Sequence, residues 1–296
     1  LPEVEFKTPN VLNQLKVFVT RDVLSKITNT QYLAINLLEA PLLGFILSYF
    51  LRYILVNDRA DSNDYVFYSN DNVMIYMFMS IIVALFLGLT VSAEEIFKDQ
   101  KIRKRESFLN LSNGSYLLSK IGIMFLISAI QMFSFIAVGN LILGIDGMLW
   151  DYWLILFSLA CFANMLGLNI SASFNSAVTI YILIPFLIIP QILFSGVLVK
   201  FEKLNPMVTS QKTVPLIGDV MASRWAFEAL AVNQFMNNEF EQYFYDYDQQ
   251  MSEANFKKNF WIPDLKAKKG KFLDYIKGNS DYSEEEIKRD LKTIRN

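Results

Sequence analysis

Ala93–Lys120 reads AEEIFKDQKIRKRESFLNLSNGSYLLSK, a charged island of 28 residues between two long apolar runs. Each flanking run is long enough to cross a bilayer, so the island lies at a membrane face. Lys98, Lys101, Arg103, Lys104 and Arg105 cluster in it with Lys120 close behind, and the bias of short basic loops toward the cytosol puts it inside. Glu94, Glu95, Asp99 and Glu106 set acids among these bases at helical spacing. A lipid-headgroup anchor would be basic throughout; mixed signs suit a surface that docks a soluble partner.

Working outward, the run before the island spans from about Val73 to Ser92 and the run after it from about Tyr116 to Leu143. A first span is expected from Tyr32 to about Leu55, a fourth from about Trp150 to Ser171 and a fifth from Val178 to Val199. The loops at 57–72 and 144–151 are acidic, as suits the outer face. Residues 1–30 are amphipathic, with Val11, Leu12, Leu15, Phe18, Leu24 and Ile27 at helical period and Lys16, Arg21 and Lys26 between them. They predict an interfacial helix on the inner leaflet. Five spans leave residues 202–296 outside as a small, mostly helical domain, with a final helix opened by a capping box at Ser283 and Glu286. The expected organisation is a connecting helix (1–30), a five-span domain (31–201) whose cytosolic loop covers 93–117, and an extracytoplasmic domain (202–296). Within the first span Glu39 is the one acid, read here as structural because no cation partner can be named for it.

Composition narrows the function. Of 296 residues, 53% are hydrophobic and 15% aromatic, and the mean hydropathy is +0.30, values that mark an integral membrane protein; with the helical spans above, the expected fold class is all-α. The net charge of -2 leaves no cation surplus for nucleic acid. With no histidine and a single cysteine, Cys161, the chain lacks the residues for most metal sites, for Ser-His or Cys-His catalysis and for an intrachain disulfide. No catalytic residues are assigned and no GxxxxGK[ST] loop occurs in these residues. Opening on Leu1, the sequence reads as an excerpt of something longer.

Four segments, in order, resemble one family. VSAEE at Val91–Glu95, with Glu106 twelve residues after Glu94 and SYLLSK at Ser115–Lys120, is similar to the first intracellular loop of ABC transporters of the G subfamily, the White and multidrug half-transporters. QLKVFVTRD at Gln14–Asp22 is similar to that family's connecting helix, and LFSGVLVK at Leu193–Lys200 to its FSG turn. SRWAFEALAVNQF at Ser223–Phe235, with Arg224, Trp225 and Asn233, resembles its outer-loop segment.

The resemblance implies a permease of an ATP-driven exporter, placed in the plasma (inner) membrane with its N-terminus cytosolic. It implies a second copy of the membrane domain and a nucleotide-binding domain fused upstream that carries ATP and Mg. Glu94, Arg105 and Glu106 are then the coupling residues, Phe86, Leu87 and Ile189 face the substrate pathway, and Val197 and Leu198 close it. The chain also departs from the family. The outer-loop cysteines of animal members are missing, Met236–Asn296 looks like an insertion, and a sixth span is expected after residue 296. A pathway rich in Leu, Ile, Phe and Met suits apolar or amphipathic cargo. The alternatives are a membrane structural or receptor subunit with a transporter-like fold and a lipid-modifying enzyme, the latter opposed by the missing histidines.

Overall fold

The structure, a computed structural model, describes residues 10–53, 70–106, 111–199, 201, 204, 214–238 and 241–276. Most of the acidic loop at 57–72 and the capping box at Ser283 lie outside them. Every regular element among the described residues is a helix, as the apolar runs require, because a backbone in hydrocarbon must satisfy its own polar groups. In chain order these are α1 (Val11–Thr28), α2 (Thr30–Leu51), α3 (Val73–Ser92), α4 (Glu95–Glu106), α5 (Asn113–Leu143), α6 (Leu149–Ser173), α7 (Ala177–Leu193), α8 (Leu216–Val220), α9 (Ala222–Met236), α10 (Tyr245–Phe256) and α11 (Ile262–Ile276).

Four of them, α2, α3, α5 and α6, are long and apolar enough to cross a membrane. The fifth apolar helix falls short of its expected length. α7 has 17 residues, about 26 Å at 1.5 Å per residue against a hydrocarbon core of about 30 Å. It stops at Leu193 because Gly196 takes φ 79° in the turn that follows, a conformation that ends a helix and that glycine adopts without strain. Gly144, at φ 67°, stops α5 in the same way.

The chain forms two compact units, 1–234 and 235–296. In the first, α3 packs along α6 and α2 along α5. Small residues let these helices approach: a Cβ added to Gly88 would lie 2.7 Å from both the Ala160 carbonyl oxygen and the Ala163 Cβ, and one added to Gly44 would lie 2.6 Å from the Phe135 carbonyl oxygen. Apolar packing around Tyr76, Leu85, Phe135, Tyr152 and Leu156, all at most 1% exposed, makes the core.

Polar residues inside the spans tie helix to helix. Asn164 Nδ2 donates to Ser128 Oγ at 2.8 Å, Gln131 Nε2 to the Asn36 carbonyl oxygen at 3.1 Å, and Tyr76 Oη to Asn140 Oδ1 at 3.2 Å. α9 belongs to this unit: Leu230 is fully buried, and Tyr152 Oη donates to Gln234 Oε1 at 2.7 Å.

The second unit is described by itself. α10, a wide turn at Lys257–Trp261 and α11 follow one another without a break, and no side chain in either α10 or α11 is buried.

Candidate functional site: the junction of α1, α4 and α5

The charged island folds into α4 and the start of α5, and α4 is held from three sides. A helix leaves its first N–H groups without partners. Here Ser171 of α6 serves as the cap, its Oγ accepting from Ile96 N and Phe97 N at 3.0 Å each. Glu94, just ahead, pairs with Lys98 at 2.6 Å and accepts a hydrogen bond from Tyr181 of α7. At its far end Arg103 Nη2 donates to Asn113 Oδ1 at 3.1 Å, and the guanidinium sits 4.7 Å over the Tyr116 ring of α5.

Between these ends an ion cluster is enclosed. Lys120 of α5, with its side chain 4% exposed, points its ammonium at three carboxylates: Asp22 Oδ1 of α1 at 2.7 Å, Asp99 Oδ2 of α4 at 2.9 Å and Glu95 Oε2 of α4 at 3.1 Å. The ammonium donates hydrogen bonds to Asp22 and Glu95, and Asp99 completes the cluster as an ion pair. Lys26 of α1 adds a second cation, 2.6 Å from Glu95 Oε1. The Tyr116 hydroxyl donates to Asp99 Oδ2 at 3.1 Å, and its ring meets Phe18 of α1 edge-on at 5.8 Å. Two lysines and three acids from three helices thus interlock where little water reaches.

Further along the same helices, α1 and α5 are also tied by Gln14 Oε1, which accepts from Ser112 N at 2.8 Å, and by Ser115 Oγ, which donates to the Val11 carbonyl oxygen at 3.0 Å. α1 therefore docks on α5 through Gln14 and Phe18, and Leu12, Val17 and Ile27 stay exposed. Outside the cluster, Arg21 Nη1 reaches both carboxylate oxygens of Glu106, at 3.0 and 3.2 Å, with the two side chains 40% and 31% exposed. Arg105 is exposed. Two hollows flank α4: one of about 520 Å³ lined by Phe18, Arg103, Glu106 and Tyr116, and one of about 600 Å³ lined by Phe97, Lys98, Lys101, Lys104 and Asn175.

The remaining expected site residues lie elsewhere. Phe86 and Ile189 face outward from α3 and α7, but Leu87 is fully buried in the core and does not reach that surface. Neighbouring helix positions point about 100° apart, so α3 cannot present both Phe86 and Leu87 to one pathway. Leu198 is exposed beyond the end of α7, and Val197, half-buried, donates its N–H to Ser195 Oγ at 3.3 Å. Arg224 pairs with Asp219, stacks 4.7 Å over Trp225 and lies on α9 with Asn233. The Trp225 indole donates to the Asp219 carbonyl oxygen at 2.8 Å. That network fixes the α8–α9 corner, while Ser223 at the start of α9 is anchored on Gln191 of α7. Glu39 makes no hydrogen bond or ion pair with the described residues.

The enclosed cluster is the feature that sequence reading missed. Lys120 was visible only as a basic residue opening a span, and Asp22 and Lys26 as punctuation in an amphipathic helix.

This arrangement of a preceding helix, apolar spans and a charged helical loop coincides with a known family model, that of the ABC-2 type transporter, which matches residues 13–235. The chain belongs to the ABC-2 type transporter family. It is accordingly a multi-pass membrane protein and the permease part of a transporter. The match begins inside α1 and ends inside α9, so it takes in the ion cluster and the corner at Arg224 and leaves α10 and α11 outside. Comparison with curated proteins finds no match.

Proposed function

We propose that this ABC-2 permease is the membrane half of an ATP-driven exporter of the G-subfamily kind, and that α4 is where a nucleotide-binding domain pushes on it. The observation that carries the reading is the attachment of α4. It is capped by α6 and ion-paired to α1 and α5, so a force on its outer face moves three elements together rather than one loop. That face offers Lys101 and Arg105 to solvent beside the basic hollow at Lys98 and Lys104.

ATP and Mg²⁺ bind on the partner domain in this reading, since the chain carries no phosphate loop. α1 and α4 face the cytosol, residues 202–296 lie outside, and the protein sits in the plasma (inner) membrane. Two copies of the membrane domain enclose the pathway. Phe86 and Ile189 supply apolar surface to it, Leu87 supports α3 from behind, and Val197 with Leu198 closes it after the Gly196 turn. A hydrophobic closure of this kind resists water yet yields to apolar or amphipathic cargo.

Glu106→Ala tests the coupling. ATP hydrolysis is expected to continue while transport falls, with the melting transition nearly unchanged. Loss of the folded protein without uncoupling overturns the assignment. Cysteine at Gln249 in a Cys161→Ser background tests the orientation: it is expected to label with an impermeant reagent on intact cells, and labelling only after permeabilisation overturns it.

A further inference from the structure

α10, the wide turn and α11 form one helical run from Tyr245 to Ile276, about 48 Å long at 1.5 Å per residue. The wide turn has a local cause. Pro263 has no N–H to give the carbonyl of Asn259, and just before it Ile262 N–H reaches back five residues to the Lys257 carbonyl oxygen. The run therefore survives a proline that would otherwise break it.

Its surface is divided. Tyr247 and Met251 in α10 and Ile262, Leu273 and Ile276 in α11 are 42 to 71% exposed. With Leu265 they recur at successive spacings of 4, 11, 3, 8 and 3 residues, the repeat of an apolar stripe along one side of a helix, while Phe256 and Phe260 stack on each other on the other side. Its charge is also divided, end to end. α10 holds Asp246, Asp248 and Glu253 and no base, whereas 257–276 holds six lysines against Asp264 and Asp274. Glu253–Lys257 and Asp264–Lys268 pair within the helix at 2.6 and 2.8 Å. Asp246 and Asp248 at one end and Lys266 and Lys269 at the other have no ion pair among the described residues.

We propose that the occupant of this stripe is the same helix of a second copy, running antiparallel, so that α10 of each copy lies on α11 of the other. A two-fold interface is self-complementary, and only the antiparallel sense brings the acidic end of each helix to the lysine-rich end of its partner. A parallel pair would set acid on acid and lysine on lysine. A bilayer with anionic headgroups would hold the lysine end and repel α10. The stripe lies outside the residues that match the ABC-2 family, so the pairing stands whether or not the transport reading does.

The test uses the full chain in membranes, in a Cys161→Ser background with a short thiol cross-linker. With the two-fold axis near Lys258, which lies on the stripe two turns after Met251, Lys258→Cys is expected to cross-link to its own copy. Met251→Cys alone is expected to stay monomeric on a denaturing gel and to cross-link when co-expressed with Leu265→Cys. Self-cross-linking of Met251→Cys would mean a parallel pair and overturns the proposal, as does the absence of any cross-link. Changing Asp246 and Asp248 to Lys is expected to lower the Lys258→Cys yield about tenfold, and adding Lys266→Asp and Lys269→Asp in the same chain to restore it. Unrestored yield at equal expression overturns the charge pairing. Quenching of a fluorophore on Lys258→Cys by brominated lipid would place the stripe on the bilayer and overturn the proposal.

Discussion

Two ion pairings join α1 to the charged island, and they differ in burial more than in chemistry. Lys120 meets Asp22, Glu95 and Asp99 with its side chain 4% exposed. Arg21 meets Glu106 about as closely, at 3.0 Å, but in the open. Desolvated charges hold only while every partner is present, because removing one strands the rest in a medium that cannot solvate them. An exposed pair breaks and re-forms at little cost. α1 and α4 are thus clamped, together with α5, at one level and loosely linked at another. That difference assigns the cluster to holding the junction together and the outer pair to responding when something moves α4.

The largest effect is expected at the clamp. Lys120→Met leaves Asp22 and Glu95 to Lys26 alone and takes from Asp99 its ion pair, and should cost about 3–5 kcal/mol, read as a lowered melting temperature or failed expression in detergent-solubilised protein. A variant that melts like the parent would erase the distinction between the two levels. Next is Ser171→Ala, which takes the acceptor from Ile96 N and Phe97 N. Losing a helix cap costs about 0.5–2 kcal/mol, and it should appear as faster proteolysis within α4 while the spans remain protected. Uniform cleavage throughout the chain would mean that α4 is not separately anchored by α6.

Smaller still is the outer pair. Arg21→Ala and Glu106→Ala should each change stability by about 0.2–1 kcal/mol. Both are expected to uncouple ATP hydrolysis from transport to a similar extent, and the double variant should be no worse than either alone. Additive losses of transport would show that the two residues act separately. Leu198→Ala, at an exposed position, should change stability least, by under about 0.5 kcal/mol. If it closes a pathway, basal ATPase activity and transport will nevertheless change in reconstituted vesicles. Values within a factor of about two of the parent would remove Leu198 from the gate.

The sequence by itself determined the helices and their order. α3 ends at Ser92 and α5 at Leu143, where hydropathy placed them, because hydrocarbon allows a backbone no partner but itself. The left-handed turn at Gly144 that ends α5 rests on local φ/ψ preference alone. α7 was read too long because the LFSGVLVK stretch is apolar throughout, and hydropathy does not register that Gly196 turns the chain. The family resemblance puts both Phe86 and Leu87 on the pathway, and only packing showed that one faces out and the other in. The clamp was beyond reach for a further reason. Asp22, Glu95 and Lys120 are separated by 73 and 25 residues, and nothing in a local pattern distinguishes a lysine that lies against headgroups from one that folding surrounds with carboxylates. Which charges lose their water is a property of how α1, α4 and α5 come together, and that was decided by the tertiary structure.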